Sequence, residues 1–334
     1  MRRALAALLV AIVPAQASAI TGARDVAADE HPAVGAIVIQ RADPSCGHEV
    51  ICSGALIAAD KVLTAAHCGA FFGEPGEPPP TYAFTLDVGL DGLDAGAYEA
   101  CPAATTDAAL RPIVPGAAHP GFELFPADPE HDFDALSATH DVAVWTLEAP
   151  IEGVEPAAIL DDAALFDAAL AEGTLLMVGY GPDRVAGPRR REAATELVDA
   201  GAWELRYAGD AERCKGDSGG PTFLRSPALD GLALVSVTSR IYALQIDVSP
   251  CGSVIETRVD AHADFIRGAV PDVAVAQAAL EAEPGGSEGG EGCTIAGEGR
   301  GRIDLGVGLA LLGLAGRGRR RRRGPRGGRP GVDA

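Results

Sequence analysis

Short apolar runs bounded by turn residues recur along the chain. Residues 33–39 and 50–57 are mostly apolar, and residues 175–178 form a third run that ends at Gly179. Runs of about four to eight apolar residues between turn residues are typical of buried strands, whereas amphipathic helices repeat their apolar positions every three or four residues. The pattern therefore predicts an all-β architecture for most of the chain.

A helical pattern follows the last predicted strand. Four apolar positions fall on one face of a helix there, Val259, Ala263, Ile266 and Val270. Residues 271–292 are rich in Ala, Glu and Gly, which is typical of a flexible linker. We therefore expect a folded domain over residues 20–270 that ends in a helix.

The first nineteen residues have the pattern of a secretory signal peptide. Arg2 and Arg3 form a basic start, residues 4–13 are apolar, and residues 17–19 read Ala-Ser-Ala, a small-residue cleavage site. The apolar stretch is too short for an ordinary transmembrane helix. The sequence therefore predicts an exported protein that loses residues 1–19.

The charge of the chain narrows the classes of partner. The formal net charge is −20, although the residues after 316 are rich in arginine, so the central region is more acidic still. Nucleic acids and anionic lipid surfaces both require a basic footprint. The composition argues against both as partners of the folded domain.

Seven cysteines stand at positions 46, 52, 68, 101, 214, 251 and 293. In an exported protein six of them should pair, and one is left over. The sequence contains no Cys-x-x-Cys pair, so it offers little support for a structural zinc site. We expect no metal and no cofactor.

Three short motifs carry the candidate chemistry. Residues 214–221 read Cys-Lys-Gly-Asp-Ser-Gly-Gly-Pro and present the hydroxyl of Ser218 among glycines, where the N–H groups of Gly216 and Ser218 could stabilise an oxyanion. His67 lies upstream in Ala-Ala-His-Cys, and Asp141 lies between them in Asp-Val-Ala-Val. The order His, Asp, Ser argues against an α/β-hydrolase, in which the base follows the serine.

At these three motifs the chain resembles the trypsin/chymotrypsin-like serine peptidases. The resemblance implies two antiparallel six-stranded β-barrels, a C-terminal helix and an active site between the barrels. It also implies a serine endopeptidase that acts on proteins or peptides, with Ser218 as nucleophile, His67 as general base and Asp141 as the residue that orients His67. No motif surrounds His140, so we expect it to be a solvated loop histidine.

The resemblance also implies two disulfides, Cys52–Cys68 and Cys214–Cys251. Cys46 and Cys101 are then left to each other by elimination. In the family, a new N-terminal ammonium pairs with the aspartate before the nucleophile. Here those residues are Ile20 and Asp217, so we expect signal removal itself to activate the enzyme.

Five residues are candidates for the substrate pocket. Glu212 aligns with the pocket floor, Arg213 is placed to neutralise it, and Ser236 aligns with the serine that bonds the catalytic aspartate. Thr238 and Val254 align with two glycines that keep the pocket of trypsins open. Branched side chains facing each other there predict a small apolar residue at P1, with Arg or Lys as the alternative, since a one-residue shift would place Gly252 in the pocket.

Two other classes of function remain open. A protease fold can serve as a catalytically silent binding protein, although such proteins usually lose a triad residue and this chain keeps all three. The same triad can also serve an esterase. Residues 293–334, with Cys293, a short apolar stretch and an arginine block, resemble the C-terminal sorting tails of myxobacterial surface proteins. This predicts a secreted or cell-surface bacterial protein.

Overall fold

The structure is a computed structural model that describes residues 20, 22–40, 47–70, 79–91, 93–95, 108–126, 136–181, 188–208, 211–242 and 251–279. The predicted signal peptide, Cys46, Cys101 and the tail from Cys293 onward lie outside the described residues. The predictions made for them stay predictions.

Seventeen strands are described. Those of the first half of the chain are β1 (Arg24–Asp25), β2 (Val34–Gln40), β3 (His48–Ala58), β4 (Lys61–Thr64), β5 (Thr81–Thr85), β6 (Asp94–Ala95), β7 (Arg111–Ala118), β8 (Glu123–Pro126), β9 (Leu136–Thr139) and β10 (Ala143–Leu147). Those of the second half are β11 (Thr174–Gly179), β12 (Arg191–Ala200), β13 (Glu204–Ala208), β14 (Arg213–Cys214), β15 (Pro221–Arg225), β16 (Leu232–Tyr242) and β17 (Cys251–Arg258).

The first barrel contains six antiparallel strands in the order β2-β5-β7-β10-β4-β3, and the pairing of β2 with β3 closes it. The apolar runs predicted as strands provide its interior. Ile37, Phe84, Leu63 and Trp145, from four different strands, are all at most 1% exposed. Burial of such side chains is the main favourable term that holds the barrel closed.

The second barrel has the order β12-β11-β15-β16-β17-β13 and is closed by the pairing of β12 with β13. Strand β1 adds to the edge of β12, and β14 pairs with β17. Met177, Leu224 and Ala233 are fully buried inside it. Two closed six-stranded barrels confirm the predicted fold class.

Two α-helices complete the described part of the chain. Helix α2 (Ala263–Ala269) follows a single 3-10 turn, Asp260–His262. The four positions that the sequence pattern placed on one face are all buried, but only Ala263 and Ile266 lie within α2. Helix α1 (Ala163–Leu170) was not predicted, although Asp162 caps it by accepting hydrogen bonds from the N–H groups of Ala164 and Leu165. Neither helix, nor any other in the described ranges, is long and apolar enough to cross a membrane.

The predicted linker begins later than residue 271. The N–H of Ile159 donates to Ala274 O, the N–H of Ala276 donates to Ile159 O, and the N–H of Ala279 donates to Ala228 O. Val273 and Ala276 are buried. Residues 271–279 are therefore part of the folded domain, held by these hydrogen bonds and by the burial of Val273 and Ala276.

Candidate active site

His67 lies in a 3-10 turn, Ala66–Gly69, directly after strand β4. The next residue, Cys68, forms a disulfide with Cys52 on β3, as the resemblance implied. The side chain of His67 is 13% exposed. The turn is thus held on one side by the barrel and on the other by the disulfide, while the imidazole still reaches solvent.

Asp141 fixes the imidazole of His67. Its Oδ2 lies 2.7 Å from His67 Nδ1, and its Oδ1 accepts the backbone N–H of His67 at 2.9 Å. An ionised carboxylate can only accept, so the proton of the neutral ring lies on Nδ1 and the lone pair on Nε2. Nε2 is therefore available to accept a proton.

The carboxylate of Asp141 is only 1% exposed. Burial by itself raises the pKa of Asp141, but the charge of His67 and the hydrogen bonds from His67 and Ser239 outweigh burial and lower this pKa below its ordinary value. Asp141 thus stays ionised where a buried carboxyl group without partners would take up a proton.

The Ser218 loop packs against the strand that leads into His67. Ser218 O accepts the N–H of Ser53 at 2.7 Å, and the N–H of Gly219 donates to Thr238 O at 2.8 Å. Gly219 has a φ of +76°, and a Cβ there would collide with Thr64 Oγ1 and lie 3.0 Å from the N of Ala65. Only glycine permits this approach, which places Ser218 beside the His67 turn.

Two backbone N–H groups of the Ser218 loop, those of Gly216 and Ser218, are candidate donors to an oxyanion. Gly216 has a φ of +91°, and its carbonyl is held by a hydrogen bond from Ser53 Oγ at 3.0 Å. The N–H groups of Gly216 and Ser218 donate to no acceptor among the described residues. Unpaired, rigidly held N–H groups beside a nucleophile can stabilise the negative charge of a tetrahedral intermediate.

Asp217 is fully buried directly before Ser218. Its carboxylate accepts the N–H groups of Gly181 at 2.7 Å and Cys214 at 2.9 Å, and it also accepts a hydrogen bond from the backbone of Ile20. Burial raises the pKa of Asp217, and the charge of Arg213 and these donors only partly offset the rise. The structure thus brings together Ile20 and Asp217, the two residues of the predicted activation pair.

The sequence predicts that Ser236 bonds Asp141, but in the structure it does not. The hydroxyl that donates to Asp141 Oδ2, at 2.7 Å, belongs to Ser239. Ser236 Oγ lies 2.9 Å from the hydroxyl of Tyr207 and donates to Glu256 at 2.7 Å. Ser239 is the extra residue of a β-bulge between Thr238 and Arg240 in the pairing of β16 with β17. It lies three residues after the position that the alignment gave.

Arg213 is also placed differently from the prediction. It is fully buried and pairs with the fully buried Glu256 at 3.2 Å, while its other N–H groups donate to the carbonyls of Val178 and Pro221. Glu212, the predicted pocket floor, is half-buried at the adjacent position. Arg213 thus belongs to a buried ion pair, and its hydrogen bonds anchor the residues around the nucleophile loop to the barrel.

Thr238 and Val254 do not face each other. Thr238 Oγ1 donates to Gly220 O and to Glu256 at 3.0 Å, and the backbone partner of Thr238 is Glu256. Val254 is instead paired with Ile241. Cys214 is disulfide-bonded, and its backbone pairs with Cys251, whose side chain lies outside the described residues.

His140 is not a solvated loop residue. It packs against His119 and His262, with ring centroids 4.7 and 5.2 Å away, and against Trp203 at 4.8 Å. The three histidines stand far apart in the sequence, at positions 119, 140 and 262. No local motif could therefore have indicated this cluster. His140 directly precedes Asp141 in the sequence.

The comparison with known proteins agrees with this geometry. The family model described as Trypsin matches residues 20–74, a segment that contains His67 and its disulfide. A search of curated proteins finds no match to the chain. The partial family match and the two closed six-stranded barrels together support a trypsin-like fold and a serine peptidase of the trypsin/chymotrypsin kind.

Proposed function

We propose that the protein is a serine endopeptidase in which Ser218, His67 and Asp141 form the catalytic triad. The observation that carries the proposal is the pair of hydrogen bonds from His67 to Asp141, at 2.7 and 2.9 Å, which leaves Nε2 as a base. The packing of Gly219 against Thr64 and Ala65 supports the placement of the nucleophile beside that base.

In the proposed reaction, Ser218 Oγ attacks the scissile carbonyl as His67 Nε2 takes its proton. The N–H groups of Gly216 and Ser218 donate to the oxyanion of the tetrahedral intermediate. His67 then gives the proton to the leaving amine, and water hydrolyses the acyl-enzyme by the same steps in reverse order. Asp141 stabilises the imidazolium throughout without itself becoming protonated.

The test is the peptidase activity of the Ser218→Ala and His67→Ala variants. Each should lower kcat by on the order of 10⁴ or more while the fold is retained. Ser218→Ala removes the nucleophile, and His67→Ala removes the general base. Ser226→Ala is the matched control, since this hydroxyl lies just after β15 and accepts the N–H of Ala228. Full activity in a purified Ser218→Ala protein would refute the triad.

We also propose a small apolar P1 preference. Thr238 no longer supports it, but Val254, the other branched residue of the predicted pocket, is 1% exposed. A branched side chain where trypsins carry a glycine leaves little room for a long P1 residue. Arg213 offers no free charge to a substrate, because its guanidinium is buried against Glu256.

Chromogenic peptides that differ only at P1 test this preference. Ala or Val at P1 should give a higher kcat/KM than Arg. A tenfold preference for Arg, about 1.4 kcal/mol in transition-state binding, would mean that the substrate reaches Glu212 and that the pocket is open.

Export is proposed as well, on the pattern of residues 1–19, with Ile20 as the first residue of the active enzyme. For the C-terminal residues we propose that Cys293 is processed or modified at the cell surface. N-terminal sequencing and mass spectrometry of the mature protein test both points. A start other than Ile20 would refute the first, and an unmodified chain that ends at Ala334 would refute the second.

A further inference from the structure

Three histidines meet in a cluster that includes His140, the residue directly before Asp141. His119 lies between β7 and β8, His140 between β9 and β10, and His262 in the 3-10 turn before α2. One ring nitrogen from each lies within 4.8 Å of the other two. His262 is buried, and the other two are half-buried, so the cluster is rigid at its base and open to solvent on one side.

The hydrogen bonds of His262 show where its lone pair lies. Its Nδ1 is 2.6 Å from the carbonyl oxygen of Arg258. A carbonyl can only accept, so Nδ1 carries the proton and Nε2 has a lone pair. A bond from the second ring nitrogen to a backbone carbonyl is the arrangement that orients most metal-bound histidines.

The lone pair of His262 points at a second imidazole. His262 Nε2 and His140 Nδ1 are 3.0 Å apart. Two nitrogens at that separation can both lie about 2.05 Å from one ion, with an angle of about 95° at the metal, which a small rotation of either ring brings to tetrahedral. The third ring, His119, accepts the N–H of Gly121 at Nδ1, 3.1 Å away, so the proton of the neutral ring lies on Nε2. Binding of an ion at Nε2 moves this proton to Nδ1 and breaks the hydrogen bond to Gly121.

We propose that His119, His140 and His262 bind one Zn²⁺ ion, with water in the fourth position. Three neutral imidazoles suit zinc, and the harder Mg²⁺ and Ca²⁺ prefer oxygen ligands. The other group of potential ligands in the described residues, Cys52, His67 and Cys68, has both sulfurs in a disulfide. Disulfide sulfurs are poor zinc ligands, so this group offers a single imidazole.

Zinc at this site should inhibit the peptidase, a consequence that rests on the proposed function. Binding replaces the His140–His262 hydrogen bond and places a dication beside the residue that precedes Asp141. The added charge weakens the stabilisation that Asp141 gives to the imidazolium of His67. We therefore expect a lower kcat with little change in KM.

Binding is tested by calorimetry on the full mature chain carrying Ser218→Ala and no polyhistidine tag, with ZnCl₂ as the probe. About one Zn²⁺ should bind per chain, and His119→Gln or His262→Gln should weaken the affinity by more than about tenfold. His48→Gln, far from the cluster in sequence and on β3, is the matched control and should bind as the parent does. No binding by the folded parent would overturn the proposal, as would unchanged affinity in both cluster variants.

Trp203 locates the ion by its fluorescence. Its ring is tilted over His140 with centroids 4.8 Å apart, and it is 53% exposed, whereas the other tryptophan, Trp145, is buried. Cu²⁺, which accepts the same ligands and quenches indole fluorescence, should quench the Trp203 emission. A large excess of Zn²⁺ should reduce the quenching, because Cu²⁺ binds such ligands more tightly than Zn²⁺ does. Cu²⁺ quenching equal in the parent and in the His119→Gln and His262→Gln variants would place the ion elsewhere and overturn the site.

The activity experiment is separate, so that its failure is distinguishable. Zn²⁺ should inhibit the active parent and the His48→Gln variant alike, and EDTA should restore activity. The His119→Gln variant should require more than about tenfold more Zn²⁺ for the same inhibition. If Zn²⁺ inhibits the parent, His48→Gln and His119→Gln at equal concentrations, the regulatory role is overturned. The calorimetric experiment then tests the zinc site independently of activity. If the parent protein has no peptidase activity in the absence of zinc, that result would instead count against the proposed function.

Discussion

At the scale of residues, one buried carboxylate collects the polar contacts of the candidate site. Asp141 accepts from the backbone and the ring of His67, and a third hydrogen bond comes from Ser239 Oγ at 2.7 Å. Thr257 Oγ1 donates to its backbone carbonyl. These donors offset the cost of burying a charge, which would otherwise be several kcal/mol. The imidazole of His67 is therefore held by a network rather than by one bond.

The Ser239→Ala variant tests this network. Removal of a hydrogen bond to a buried charge costs about 1.5–3 kcal/mol, so kcat/KM should fall by about tenfold or more and the pKa of Asp141 should rise. Ser236→Ala is the contrasting variant, because Ser236 bonds Glu256 and Tyr207 instead. It should lower the free energy of unfolding in urea by about 1–3 kcal/mol with little loss of kcat/KM. An equal loss of activity in both variants would contradict the assignment.

The sequence pointed to the three candidate triad residues, which stay a proposal, but it could not predict that Ser239 bonds Asp141. The three motifs are local, and each carries its own chemistry. Ser236 and Ser239 lie on one strand, and which of them faces Asp141 depends on the β-bulge after Thr238, a feature of the pairing of β16 with β17. A bulge changes which face a side chain occupies, and no pattern within the strand indicates it.

At the scale of elements, the N-terminal segment and the nucleophile loop are coupled through Asp217. Ile20 is fully buried and its backbone N–H reaches the carboxylate of Asp217. In a chain that continues before Ile20 this nitrogen is a neutral amide. In a chain that begins at Ile20 it is an ammonium, which supplies the opposite charge that a buried carboxylate requires.

This coupling predicts a pH dependence of stability. The pKa of Asp217 is raised above its ordinary value of 3.8, so the stability that it contributes is present below about pH 3.8 and is lost as pH rises through the folded-state pKa. A free ammonium at Ile20 lowers that pKa and removes the loss. We therefore compare two chains in the Ser218→Ala background, one that begins at Ile20 and one that retains Ser18-Ala19. The chain that begins at Ile20 should have the higher Tm, and the difference in Tm should grow between about pH 4 and about pH 7.

Scanning calorimetry at several pH values measures this difference. The amine itself stays protonated over this range, since an α-amino group titrates near pH 8. A difference in Tm that stays constant with pH would contradict the pairing of Ile20 with Asp217.

The segment after α2 is the second element with a testable role. Residues 271–279 bond to Ile159 and Ala228 and bury Val273 and Ala276. Truncation after Val270 removes these contacts and should lower the free energy of unfolding by about 2–4 kcal/mol. Truncation after Ala279 retains all of them and is the matched control. Equal stability of the two truncated proteins would contradict the boundary at residue 279.

At the scale of the whole molecule, the strand pattern and the resemblance together predicted two closed barrels and a terminal helix. Short apolar runs indicate buried strands, and a closed antiparallel sheet buries one face of every strand in its interior. The two barrels are consistent with this pattern. The histidine cluster could not be predicted in this way. His119, His140 and His262 come from three separate connections, and only the closure of the first barrel and the return of the chain through α2 bring them together.

The most direct test of the account is labelling of the mature protein with a fluorophosphonate, followed by peptide mapping. An active triad of His67, Asp141 and Ser218 predicts stoichiometric modification of Ser218 Oγ alone, and no modification in the His67→Ala variant, because a serine hydroxyl without its base is a poor nucleophile. Absence of label on the folded protein, or label on a serine other than Ser218, would contradict the catalytic assignment.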